Sequence, residues 1–115
     1  MALIEQFVNK TLALRDISHV AHWKTESYSQ HQALGEFYDE LIGQLDGYVE
    51  SHQGVFGVIG KTEHDVDARK AIAASMTWIT ENREKLAGGI PLLENLLDEI
   101  CGLHASTLFK LERLK

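Results

Sequence analysis

Apolar residues recur along the first half of the chain at intervals of three, four and seven positions, the spacing of one face of an α-helix. In residues 3–26 these positions are Leu3, Phe7, Leu14, Ile17 and Ala21. In the next stretch they are Leu34, Tyr38, Leu41, Ile42, Leu45 and Val49. Ser27 or Ser29 can cap the second helix, because a serine hydroxyl accepts a hydrogen bond from the first turn. The pattern therefore predicts two amphipathic helices.

The second half of the chain predicts two more helices. The third starts at Asp65 or Asp67 and carries an apolar stripe of Ile72, Met76, Ile79 and Leu86. Gly88, Gly89 and Pro91 form the clearest helix stop and restart in the sequence. The fourth helix spans residues 91–113, and its broad stripe consists of Leu93, Leu96, Leu97, Ile100, Leu103, Thr107, Leu108, Leu111 and Leu114.

The connection between the second and third helices leaves two alternatives open. The second helix ends at Gly54, or it continues to Ile59 and is followed by a turn at residues 60–62. A helix of about 22 residues is about 33 Å long, and residues 54–65 are just long enough to span it. Both a crossover and a hairpin therefore fit. In either case the pattern predicts an all-α four-helix bundle, with residues 1–115 as a single domain.

Composition and charge exclude several classes of protein. The chain has 115 residues and a formal net charge of −6, which disfavours sequence-independent binding to nucleic acid. No stretch is long and apolar enough to span a membrane, and the N-terminus lacks the apolar centre of a secretion signal. The single cysteine, Cys101, lies in an apolar stretch and is expected to be a small buried hydrophobe. We expect a soluble cytoplasmic protein.

The candidate chemistry is concentrated in residues 19–50. His19 and His22 are three positions apart, and Asp46 and Glu50 are four apart, so each pair shares a helix face. His31 lies between the two pairs. Imidazoles and carboxylates on neighbouring helices suit a divalent metal such as iron or zinc. The alternative is that these residues are surface acids and partly buried histidines of an acidic bundle that binds no metal.

The same residues resemble a known family over residues 15–54. The run of His22-Trp23, then His31, then Asp46 and Glu50 is similar to the signature of the Dps miniferritins, members of the ferritin-like superfamily. The resemblance implies a ferritin-like bundle that oxidises Fe(II) at a site shared by two subunits. It implies that the two histidines come from one chain and the two carboxylates from its two-fold partner.

The resemblance also implies further features of this site and of the assembly. Trp23 is expected to pack beside the metal, and His19 is a candidate helper ligand. The protein is expected to form a homo-oligomer, from a dimer up to a closed Dps-like shell.

The sequence departs from the Dps pattern in several ways. The interval from His22 to His31 is shorter than usual, and Gly35 stands where the family often has an acid. No lysine-rich N-terminal tail is present, so tail-driven DNA binding is not expected. The connection after the second helix is too short for the small extra helix of Dps proteins.

The second half of the chain instead resembles small uncharacterised proteins of tailed bacteriophages, which implies a location in the host cytoplasm or the virion. It favours an alternative function, a non-catalytic structural or interaction bundle. Its protein partner would dock on the end of the fourth helix, which carries Phe109, Leu111 and Leu114.

Other candidate sites are weaker. No Glu-x-x-His motif occurs, which disfavours a di-iron centre within one chain, although Asp16, His19 and His22 could supply a lone metal site. The acids of residues 63–67 are expected to cap the third helix. His52 is expected at the surface, with assistance to the shared metal site as the alternative. His104 is expected in the core, bonded to a neighbour. Residues 60–62 match the end of a phosphate-binding loop, but no strand precedes them, so a plain turn is expected.

Overall fold

A computed structural model describes residues 2–114, and these residues form four α-helices and no strand. The helices are α1 (Leu3–Lys24), α2 (Tyr28–Phe56), α3 (Ala68–Ala87) and α4 (Pro91–Arg113). The all-α prediction with four helices is confirmed. The chain divides into two compact units, Met1–Asp65 and Val66–Lys115. The first contains the hairpin of α1 and α2, and the second contains the hairpin of α3 and α4.

The helices begin and end where local chemistry predicts. Ser27 caps α2, since its hydroxyl accepts the Gln30 N–H at 3.3 Å. Asp67 caps α3 in the same way. Gly88 follows α3 with a φ of 60°, a left-handed conformation that glycine adopts without steric cost. Of the two alternatives for α2, neither is met fully, because the helix passes Gly54 and ends at Phe56.

The first hairpin buries an unusual set of side chains on α1. The buried residues of this helix are Glu5, Val8, Asn9, Thr11 and Ser18, of which only Val8 is apolar. The stripe read from the sequence is largely exposed: Leu3 is 81%, Phe7 44%, Leu14 45% and Ile17 65% accessible. Most of the apolar stripe of α1 is therefore left accessible, although the Phe7 ring contacts Tyr48 of α2 edge-on, with centroids 5.3 Å apart. From α2, Leu45 supplies the buried apolar side chain.

The second hairpin is held differently. Ala87 is the only buried residue described in α3 and α4, and the apolar side chains between the two helices are half-buried. Two exposed ion pairs, Arg83 with Asp98 and Arg69 with Glu112, connect α3 to α4. Next to the half-buried residues, α4 carries an exposed apolar stripe of Leu93, Leu96, Ile100, Leu103 and Leu111, and Leu114 after its end is exposed as well.

Candidate metal-binding site

A tight turn brings the end of α1 beside the start of α2. Thr25 leaves the helical conformation, and its N–H still donates to the Ala21 carbonyl at 3.0 Å. The Ser27 N–H then donates to the Thr25 hydroxyl at 3.2 Å. Because only residues 25–27 separate the helices, His22 in the last turn of α1 and His31 in the first turn of α2 become neighbours.

His22 and His31 form a reciprocal pair. Their rings stack with centroids 3.6 Å apart and planes inclined by 19°. The Nδ1 of His22 lies 2.6 Å from the His31 carbonyl oxygen, and the Nδ1 of His31 lies 2.7 Å from the His22 carbonyl oxygen. A carbonyl oxygen can only accept, so both Nδ1 atoms carry the hydrogen. In its neutral form, each imidazole therefore keeps its electron pair on Nε2, which is how metal-binding histidines are usually held.

Gly35 makes room for this pair. It lies one turn after His31 on α2, and a Cβ built on it would lie 3.0 Å from Cε1 and 3.1 Å from Nδ1 of His22. These distances are shorter than ordinary van der Waals contact, so the imidazole occupies the space of the missing side chain. The departure from the Dps pattern at this position thus has a local physical reason.

A layer of aromatic rings surrounds the pair. His19 stacks on Tyr38 with centroids 3.9 Å apart and on Trp23 with centroids 4.3 Å apart. His22 meets the same Tyr38 ring edge-on at 5.4 Å. The guanidinium of Arg15 lies 5.2 Å from the centre of the Tyr38 ring, within the range of a cation–π contact. Trp23 therefore packs on His19, and His19 packs as a stacked ring between Trp23 and Tyr38. The expectation that Trp23 packs beside a metal stays a prediction.

The electrostatic surroundings favour the neutral form of His19. Desolvation by the packed rings lowers the pKa of His19 below its ordinary value of 6.5. The charges of Arg15 and of His22 act in the same direction, while Asp16 opposes them. At neutral pH the His19 ring is therefore mainly uncharged.

The two predicted carboxylates lie far along α2 from the histidines. Asp46 and Glu50 are both exposed. Fifteen positions separate His31 from Asp46, which is about 22 Å of helix. Within residues 2–114, no group of three or more His, Cys, Asp or Glu side chains is arranged to hold a metal ion. A site that unites both imidazoles with both carboxylates therefore needs a second copy of the chain.

His52 does not join the carboxylates. It lies about 200° around the helix from Glu50, so the two side chains leave α2 on opposite sides. Its half-buried ring lies between Tyr48 and Phe56, with centroids 6.2 and 4.8 Å away. Its buried Nδ1 has no hydrogen-bond partner within the described part of the chain. The predicted surface position is thus only partly correct.

His104 is half-buried and bonded to neighbours, which confirms the expected hydrogen bonding. Its Nδ1 lies 2.7 Å from the Ile100 carbonyl oxygen, so this nitrogen donates. Its Nε2 can then accept the Ser75 hydroxyl hydrogen, at a distance of 2.9 Å. This bond joins α3 to α4, and nothing in the sequence pattern singled out Ser75.

The segment after α2 is fastened to α1 by two polar side chains. Glu5 accepts the Gly60 N–H at 2.7 Å, and Asn9 accepts the Glu63 N–H at 3.0 Å. The Gly60 amide, which a phosphate-binding loop would use for an anion, is thus engaged by the protein's own carboxylate. The predicted turn at residues 60–62 is wrong in its position, because these residues are irregular and the turn lies at residues 63–64. The capping role of Asp67 is confirmed. The roles of Glu5 and Asn9 were missed; the only signal is their spacing of four on α1.

Comparison with known proteins places the chain in a family. Residues 22–111 match a family of unknown function (DUF5856). The chain belongs to this family. The matched region starts at His22 and includes His31, Asp46 and Glu50, whereas His19 precedes it. No curated protein and no solved structure matches the chain. Among the helices of residues 2–114, none combines the length and apolar character needed to cross a membrane.

Proposed function

We propose that this DUF5856 protein binds a divalent transition metal, Fe(II) foremost and Zn(II) as the alternative. The proposed site lies between two copies of the chain. His22 and His31 of one copy would provide imidazole nitrogens, and Asp46 and Glu50 of the second copy would provide carboxylate oxygens. The observation that carries the proposal is the reciprocal histidine pair, because both Nδ1 hydrogens are engaged and both Nε2 electron pairs are left for a ligand.

The residue types fit iron as a substrate. Neutral imidazoles and carboxylates bind Fe(II) and remain suitable ligands for Fe(III). Two carboxylates also offset the rise in positive charge when Fe(II) is oxidised. The ferritin-like resemblance adds this oxidation as the expected activity, with dioxygen or peroxide accepting the electron. The charge of α2 supplies further attraction for a cation, since the helix contains five acids and no lysine or arginine.

A homo-oligomer and a cytoplasmic location belong to the same proposal. The shared site requires at least a dimer, and a two-fold axis would create two equivalent sites. A reducing compartment keeps iron available as Fe(II), and it suits the free thiol of Cys101.

An anaerobic Fe(II) titration of the purified protein tests the proposal. Wild-type protein is expected to bind Fe(II), and His22→Ala and Asp46→Ala are each expected to weaken binding strongly. The matched control is Glu36→Ala with Glu40→Ala, which removes two exposed acids at the same spacing on the same helix. The control is expected to retain most of the wild-type affinity. Wild-type protein that binds no Fe(II), or ligand variants that bind like wild-type, would contradict the proposal.

A second candidate function is favoured by the surface of α4. Leu103 is 68%, Phe109 61% and Leu114 66% exposed, although apolar side chains of this size are usually covered. This surface fits a structural or interaction module that docks on a protein and needs no metal. Light scattering of wild-type protein and of Leu103→Gln with Phe109→Gln tests self-association through α4. A loss of the oligomer in this variant, together with no Fe(II) binding by wild-type protein, would favour the second function.

A further inference from the structure

We infer that Gly35 is a positioning residue of the proposed metal site, which sets the orientation of His22 by leaving the space of a side chain empty. The inference rests on the proposed function for its link to metal. The geometric part, that position 35 controls the His22 ring, can be tested without any metal.

The His22 ring has little freedom to move away from an added side chain. A Cβ at position 35 would lie 3.0 Å from its Cε1, so the ring would have to shift. Its face is stacked on His31 at a centroid distance of 3.6 Å, and its Nδ1 is bonded to the His31 carbonyl at 2.6 Å. Tyr38 approaches the same ring edge-on. A shift of even a few tenths of an ångström would therefore disturb the stacking on His31 and weaken the bond that fixes which nitrogen carries the hydrogen.

Two other glycines of α2 show that the effect is specific to position 35. A Cβ at Gly43 or Gly47 would meet nothing within 4 Å. None of these three glycines has a positive φ, so the backbone itself permits alanine at each position. Helix propensity alone favours alanine at all three. Any loss of stability that occurs in Gly35→Ala but not in the other two variants must then come from contact with His22.

The experiment compares Gly35→Ala with Gly43→Ala and Gly47→Ala in the full chain. Imidazole nitrogen chemical shifts of the metal-free protein report whether His22 carries its hydrogen on Nδ1, and an anaerobic titration reports Fe(II) affinity. Gly43→Ala and Gly47→Ala are expected to raise the melting temperature and to keep both properties. Gly35→Ala is expected to lose the Nδ1–H signature of His22 and at least about tenfold in Fe(II) affinity, the scale seen when support of a metal-binding histidine is removed.

A second pair of variants keeps the test decisive if Gly35→Ala folds poorly. In a His22→Ala background the obstructing ring is gone, so Gly35→Ala is expected to stabilise the protein as Gly43→Ala does. If Gly35→Ala still lowers stability in the His22→Ala background, the inference is overturned. It is also overturned if the imidazole nitrogen chemical shifts of Gly35→Ala equal those of wild-type protein. If wild-type protein binds no Fe(II) but Gly35→Ala still disturbs His22, the positioning role stands and the proposed function fails.

Discussion

The two hairpins of this protein differ in charge and chemistry. Residues 1–65 contain ten Asp and Glu against four Lys and Arg, whereas residues 66–115 contain seven of each. The whole net charge of −6 therefore belongs to the first hairpin. Five of the six histidines lie there too. The candidate chemistry is therefore confined to α1 and α2, while α3 and α4 carry balanced charge and apolar surface.

The hairpins also differ in what holds them. The first buries Glu5 and Asn9 against backbone N–H groups and stacks His22 on His31. The second relies on half-buried apolar contacts and on exposed ion pairs, which usually contribute little stability. Buried hydrogen bonds are costly to break, so the first hairpin holds its polar side chains in defined positions. A binding site benefits from that order.

The greatest loss of stability is expected from shortening an apolar side chain in the interior of the first hairpin, compared with the same change in the second. Leu45 is only 5% exposed, so Leu45→Ala should lower the free energy of unfolding by about 3 kcal/mol through lost contacts and a cavity. Leu97→Ala is the matched change on α4, where the side chain is only half-buried, and it should cost clearly less. Urea denaturation of both variants measures the difference. Equal losses would show that the two interiors are equally well packed.

A smaller effect concerns the segment fastened to α1. Glu5→Ala leaves the Gly60 N–H without its acceptor and should cost about 2 kcal/mol, the range for a hydrogen bond to a charged group. Hydrogen exchange of the Gly60 amide should accelerate in this variant. Glu36→Ala, which removes an exposed acid, is the control and should leave that amide protected. Unchanged protection in Glu5→Ala would mean that the bond does not hold the segment.

The smallest expected effect is the pH dependence of the second hairpin. The hydrogen bond from Arg83 lowers the pKa of Asp98 below its ordinary value of 3.8, and partial desolvation opposes this. Because the folded pKa lies below the unfolded one, the stabilisation is present above about pH 4 and is lost as the pH falls through the folded value. Melting temperatures between neutral and acid pH should therefore fall less steeply in Asp98→Asn. Identical profiles for the two proteins would exclude a contribution from this pair.

The starts of α2, α3 and α4 could be predicted because their causes are local. Ser27 and Asp67 cap helices through hydrogen bonds to residues three positions away, and Pro91 starts α4 two positions after Gly89. Such signals need no knowledge of tertiary packing.

The buried face of α1 could not be predicted in the same way. The apolar stripe of Leu3, Phe7 and Leu14 shows which face is nonpolar, but not which face the neighbouring helix covers. Glu5 is buried because it meets Gly60, a residue 55 positions away, and a pair so distant leaves no periodic pattern.

The sequence identified candidate residues for the site, but it did not predict how their side chains are arranged. The spacing of His22, His31, Asp46 and Glu50 identified them as candidate ligands, and that identification stays a prediction. The short interval between the histidines and the glycine at position 35 counted as departures from the Dps pattern. In the fold, the short turn stacks the two rings and Gly35 accommodates one of them. Sequence spacing cannot show such a contact, because it depends on how α1 and α2 meet.

A subunit-mixing experiment tests the central claim, that the metal site is shared between two copies. One variant carries His22→Ala with His31→Ala, the other carries Asp46→Ala with Glu50→Ala, and each alone should bind no Fe(II). After joint unfolding and refolding in equal amounts, random pairing places intact histidines opposite intact carboxylates in about a quarter of the sites. A shared site therefore predicts recovery of about a quarter of the wild-type Fe(II) stoichiometry. A mixture that binds no Fe(II), when wild-type protein treated identically does bind it, would contradict the shared site.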